Sequence, residues 1–190
     1  TSSDAGTIGP AFTTVTANLS SAFSFTTVAG ADTATTAAVV YGLDVVSGVS
    51  GLATSPSNTP IFLYEVNGVI VGSTSAVAPV TSNGLVDTSI AFTLSVDSNG
   101  VVTLNQYQAI EHSGELDHAG VAGFDGSFAD DIATLLDGKV SLTATQTITD
   151  GDGDTDTASA TLDLGGTVTF TDVGPDTNAR AVAAPAVVLT

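Results

Sequence analysis

This sequence predicts an all-β fold, an antiparallel β-sandwich with long loops and at most one short helix. Three observations carry that expectation. Apolar and polar residues alternate with a period of two in segment after segment, turns built from Gly, Asn, Asp and Pro separate those segments, and almost no stretch has a helical period.

In chain order, residues 23–28 and the β-branched run 37–46 read as strands. Residues 29–36 and 47–59 are low in hydrophobicity and read as loops. Residues 61–66 and 69–73 flank Asn67-Gly68, a strong hairpin signal because both turn residues tolerate positive φ. Ile90, Phe92, Leu94 and Val96 alternate up to the turn Asp97-Ser98-Asn99-Gly100, after which residues 101–110 form the returning strand. The Gly-rich stretch 111–131 carries both histidines and reads as a long loop, a place that usually holds function or mobility. Phe128, Ile132, Leu135 and Leu136 fit one helical face, which predicts a short helix over residues 128–136. Val140, Leu142, Ala144 and Ile148 share one parity against a Ser/Thr column, the signature of a half-buried strand. Past an acidic turn, Ala158, Ala160, Leu162 and Leu164 resume the alternation. Gly165-Gly166 then breaks the run, and Val168 and Phe170 mark a third strand.

The chain of 190 residues fits one all-β unit, with no internal repeat and no linker to split it; residues 1–176 are expected to be a single module and 177–190 a linker or the start of the next. Hydrophobic residues make up 43% and charged residues only 12%, so a core is available and the rest of the surface must be Thr, Ser, Gly and Asn. Lys139 and Arg180 are the only strong bases against 20 acids, for a net charge of −18. That balance excludes nucleic-acid binding, which relies on Lys and Arg contacts to phosphate, and disfavours anionic membranes. It attracts cations, divalent ones most strongly. Without cysteine there is neither a disulfide framework nor a thiolate metal site. No stretch approaches the ~18 to 20 apolar residues of a spanning helix. A start at Thr1-Ser2-Ser3-Asp4, without Met or the regions of a signal peptide, and an Ala/Val/Pro-rich end are expected of an excerpt from a longer chain.

One run stands out chemically. Asp150-Gly151-Asp152-Gly153-Asp154-Thr155-Asp156 places four carboxylates at every second position of a Gly-rich turn. Such acids repel one another, and calcium reverses the sign: it takes six to eight oxygen ligands in flexible geometry. The plainer reading is a solvated hairpin turn, since Asp-Gly is ordinary turn chemistry. The run is not an EF-hand, because Thr161 stands where the bidentate Glu belongs, nor a tandem nonapeptide repeat, because the unit occurs once. Downstream, Asp172 and Asp176 in a Pro-stiffened segment add two more acids, as further calcium ligands or as a solvated linker. His112 and His118, with Glu111, Glu115 and Asp117, are the one cluster suited to a transition metal or to acid–base work, against the alternative of a hydrated polar loop. No HExxH spacing, G-x-S-x-G elbow or phosphate-binding Gly loop followed by Lys is present. Scattered carboxylates could make a glycosidase pair, but without Trp, Tyr41, Tyr64 and Tyr107 offer only a thin sugar-stacking platform.

The stretches IFLYEVNGVIVGSTS, LSVDSNGVVTLNQYQAIEH and LLDGKVSLTATQTITDGDGDTDTASATLDLGGTVTFTDVGPD resemble tandem modules of very large repeats-in-toxin (RTX) adhesins of Gram-negative bacteria. The closing hairpin and junction are also similar to bacterial cadherin-like and immunoglobulin-like repeats, and the resemblance covers residues 61–176. It implies an Ig-like or cadherin-like sandwich, secreted to the cell surface within a long array that calcium rigidifies for attachment and biofilm formation. Calcium ligands carried over are Asp150, Asp152, Asp154, Asp156, Asp172 and Asp176; the 111–131 loop has no counterpart. The resulting expectation is a non-catalytic calcium-binding structural and adhesive module, monomeric when isolated, whose partners are neighbouring modules of the same chain. The alternative is a module that binds a glycan or peptide through loops 47–59 or 111–131.

Overall fold

Alternating side chains commit most of this chain to strands, and the turns between them set the pairing. The computed structural model describes residues 13–27, 36–79, 87–112 and 132–171. In that range lie β1 (Thr13–Asn18), β2 (Thr36–Val45), β3 (Gly48–Thr54), β4 (Thr59–Val66), β5 (Val69–Ser73), β6 (Ile90–Val96), β7 (Val101–Gln106), β8 (Ile132–Thr134), β9 (Val140–Thr149), β10 (Thr155–Asp163) and β11 (Thr169–Thr171). A 3-10 turn, Ser20–Ala22, is the one helical element among the described residues.

All strand pairings among the described residues are antiparallel. A six-stranded sheet runs in the order β1-β7-β6-β5-β4-β3, a three-stranded sheet β10-β9-β2, and a two-stranded sheet β11-β8. The β4–β5 hairpin closes on Asn67 and Gly68 at φ of 53° and 79°, as a primed turn requires, and Glu65 accepts the Gly68 N–H at 2.7 Å. The β6–β7 turn is held by Asp97, whose carboxylate accepts the N–H groups of Asn99 and Val101 at 2.8 and 2.9 Å.

The two smaller sheets lie against one face of the large one, an all-β, sandwich-like arrangement with a shared core. Leu43, Val140 and Leu142 meet Ile61, Leu63, Ile70, Phe92 and Leu94, and Ala133, Leu135, Leu164 and Phe170 complete the cluster. Fully burying one such side chain contributes roughly 1.5–3 kcal/mol. Phe92 on β6 packs its ring 5.4 Å from that of Phe170 on β11, which ties the small sheet to the large one. The small sheet also reaches β3, where the Leu136 N–H bonds the Ser50 C=O at 3.0 Å.

Several sequence expectations need correction. Residues 47–59 hold strand β3 rather than a loop, because small polar side chains pack there as a core does. Ser50 and Thr54 are buried, and the Ser50 hydroxyl donates to the Ile61 C=O at 2.8 Å while accepting the Leu52 N–H at 3.0 Å. In the described part of the expected helix over 128–136, residues 132–134 form strand β8 and no helix is present: Ala133 and Leu135 are buried while Ile132 and Leu136 are exposed, so the period is two. Residues 23–27 do not form a strand. Asn18 accepts the Ser20 N–H and hydroxyl at 2.9 and 2.7 Å, turning the chain into the 3-10 turn, after which Phe23 packs on Tyr41 at a ring distance of 6.0 Å. The strand expected over 101–110 stops at Gln106, and Ile110 rejoins through an isolated bridge to Thr54. Strand β1 was not foreseen. Its Val15 and Ala17 alternate with Thr, but too few apolar positions mark it.

Candidate metal centre

The acidic run forms the tip of the β9–β10 hairpin. Pairing along that hairpin extends from Ser141–Asp163 out to Thr149–Thr155, leaving residues 150–154 as the connection. On its outward face the hydroxyls bond across the strands: Thr143 to Asp44 at 3.0 Å and to Thr161 at 3.2 Å, and Thr145 to Ser159 at 2.9 Å. The tip is knotted on Asp150. Its N–H bonds the Asp154 C=O at 2.9 Å, its C=O accepts the Gly153 N–H at 3.2 Å, and its carboxylate accepts the Asp154 N–H at 2.9 Å. Gly153 sits at φ of 98°, where a side chain is strained.

Folding the loop this way brings three carboxylates together. Asp150, Asp152 and Asp154 each offer an oxygen within 4.8 Å of the others, with Asp150 half-buried and the other two exposed. Oxygens bound to one calcium at ~2.3–2.6 Å lie at most about 5 Å apart, so a single ion fits this spacing, and carbonyls and water can fill its remaining positions. The Asp150 carboxyl is held below the usual carboxylate value of 3.8, first by the side-chain hydrogen bond with Asp152, with burial opposing and the N–H groups of Asp154, Asp152 and Gly153 adding.

Asp156 is not one of these three. It lies within β10 opposite Ile148, and its carboxylate accepts the Thr157 N–H at 2.9 Å. Asp172 and Asp176 lie outside the described residues. So do His118, Glu115 and Asp117, while Glu111 gives its N–H to the Ala53 C=O at 2.8 Å and His112 sets its Nε2 3.1 Å from the Phe170 C=O. That contact ties the end of the β7 segment to β11.

A family model described as a domain of unknown function, DUF5801, matches residues 3–165. The chain belongs to the DUF5801 family. The match takes in strands β1 to β10 and the acidic hairpin, so the candidate centre lies inside the DUF5801 region. Neither the curated proteins nor the solved structures returned a match. The match stops short of β11, yet Phe170 on that strand is buried in the core of the DUF5801 domain.

Proposed function

We propose that this DUF5801 domain is a non-catalytic, calcium-stabilised structural and adhesive module of a large secreted bacterial surface adhesin, serving cell attachment and biofilm formation. The observation that carries the reading is the convergence of Asp150, Asp152 and Asp154 at an ordered hairpin tip. A net charge of −18 and the absence of cysteine support it: self-repulsion opposes the fold, no disulfide offsets it, and divalent cations would. The same logic gives an export scheme, with the module loosened where free calcium is low and stiffened outside the cell.

Free calcium at 100 times Kd stabilises by about 2.7 kcal/mol. For a chain of this size that is a rise in Tm of roughly 5–10 °C. Melting the protein in calcium and in chelator, together with calorimetric titration, tests the reading. An equal Tm in both conditions and no heat of binding would overturn it. Asp152→Asn with Asp154→Asn is expected to abolish the calcium-dependent rise while leaving the melting curve in chelator close to that of the parent.

A further inference from the structure

Strand β1 has two chemically different faces. On the outer one Thr14 donates its hydroxyl to the Asn105 side chain at 2.8 Å; on the inner one Val15 and Ala17 stand opposite Leu104 and Val102 in the register with β7. Val102 is in the core and Leu104 packs against it, yet Val15 is 54% accessible and Ala17 is exposed as well. Space remains beneath them. A cavity of about 300 Å3 is lined by Val15, Ala17 and Leu104 on one wall and by Leu164 and Val168 on the other.

The second wall is apolar because its polar groups are turned onto one another. The Leu164 C=O accepts the Thr167 hydroxyl at 2.8 Å and the Val168 N–H at 3.1 Å, and the Val168 C=O accepts the Leu135 N–H at 3.1 Å. What this turn presents to the cavity is the pair of side chains Leu164 and Val168. A second cavity of about 170 Å3 shares Val15, Leu104 and Thr169 with the first, and Thr13, Gln106 and Thr171 make its walls more polar. Among the described residues neither wall carries a charged side chain. The two form a slot, apolar along most of its length and lined by hydroxyls and an amide at one end.

That chemistry selects a ligand. Apolar walls with a few polar groups at one place are the usual build of a small-molecule site. A carboxylate or phosphate would find no cation in these walls and would meet the field of a chain whose net charge is −18. We propose that the slot binds an uncharged amphiphile, with an alkyl chain of about ten carbons in the larger cavity, at roughly 30 Å3 per carbon, the share one water takes in the liquid. Its hydroxyl or amide head lies in the smaller cavity, beside Gln106, Thr13 and Thr171.

The probe is 1-decanol, with decanoate as its charged counterpart, added to the full chain in calcium and again in chelator so that the outcome does not depend on the metal reading. Saturable shifts of the Val15, Leu104 and Val168 methyl signals in NMR spectra are expected with 1-decanol, and at least tenfold weaker binding with decanoate. Ala17→Phe fills the slot from an exposed position and is expected to weaken 1-decanol binding at least tenfold. Val15→Asp, which sets a charge at the slot, is expected to do the same and decides the matter if the first variant does not fold. No saturable shift at these methyls, equal affinity for decanoate, or unchanged affinity in the folded variants overturns the proposal.

Discussion

Asp150 and Asp97 do similar local work at two hairpin tips, each drawing backbone N–H groups onto its carboxylate. Asp97 is held below its ordinary value of 3.8 by the N–H of Val101 and then that of Asn99, with burial opposing. For a group whose folded pKa is depressed, the stabilisation is complete above the unfolded value and is lost as pH falls through the folded one. Stability owed to these two groups is therefore expected to hold from neutral pH down to about pH 5 and to decline below about pH 4. Asp97→Asn should flatten that acid limb in a series of denaturant titrations across pH. Calcium release should follow the same acid range, because protons and metal compete for Asp150. In the core, a Cβ at Gly72 would run into the Phe92 ring. Gly72→Ala is expected to cost about 1–3 kcal/mol through overpacking. Phe92→Ala, which also removes the contact to Phe170, should cost about 3–5 kcal/mol; urea midpoints measure both.

The β9–β10 hairpin is an element of two halves. Its inner half, Val140 to Ala144, is anchored in the core, whereas β10 is exposed along almost its whole length and Ala158, expected to face inward, is exposed as well. Period-two alternation says which residues share a face, but whether another sheet lies over that face depends on how far the opposing layer extends. The overhanging half is held by its backbone ladder and by the hydroxyl bond from Thr145 to Ser159 rather than by burial. That leaves the acidic tip in water, reachable by an ion. Gly153→Val is expected to strain the tip by roughly 1–3 kcal/mol and to weaken calcium binding, with the melting curve and titration reporting each separately. Strand β3 teaches a related point. Its Ser50 hydroxyl is buried because it bonds backbone across to β4, and its Thr54 hydroxyl pairs with that of Ser57 at 3.1 Å, a use of Ser and Thr that hydropathy alone reads as loop.

For the whole molecule, the balance is between one shared core and a strongly negative surface. Repulsion among exposed acids is screened by salt, so in chelator the Tm is expected to rise between 50 and 500 mM NaCl. Calcium at millimolar concentration should raise it further, since an ion seated among three carboxylates acts locally and not by screening alone. A Tm indifferent to both would count against electrostatic control of this fold.

Short-range chemistry made much of this protein legible in advance. The hairpins at Asn67-Gly68 and Asp97–Gly100, the paired runs ahead of and after the acidic turn, and the clustering of Asp150, Asp152 and Asp154 all follow from the preferences of residues a few positions apart. Tertiary structure alone decided the rest. Strand β8 formed where a helix was expected, because its ladder to β11 and the burial of Ala133 and Leu135 outweighed a weak helical pattern. Asp156 pairs with Ile148 within β10 and is not one of the three acids whose oxygens converge. The pairing of β2 with β9 and the packing of Phe92 on Phe170 join residues far apart in the chain, and such contacts leave no mark on any local stretch of sequence.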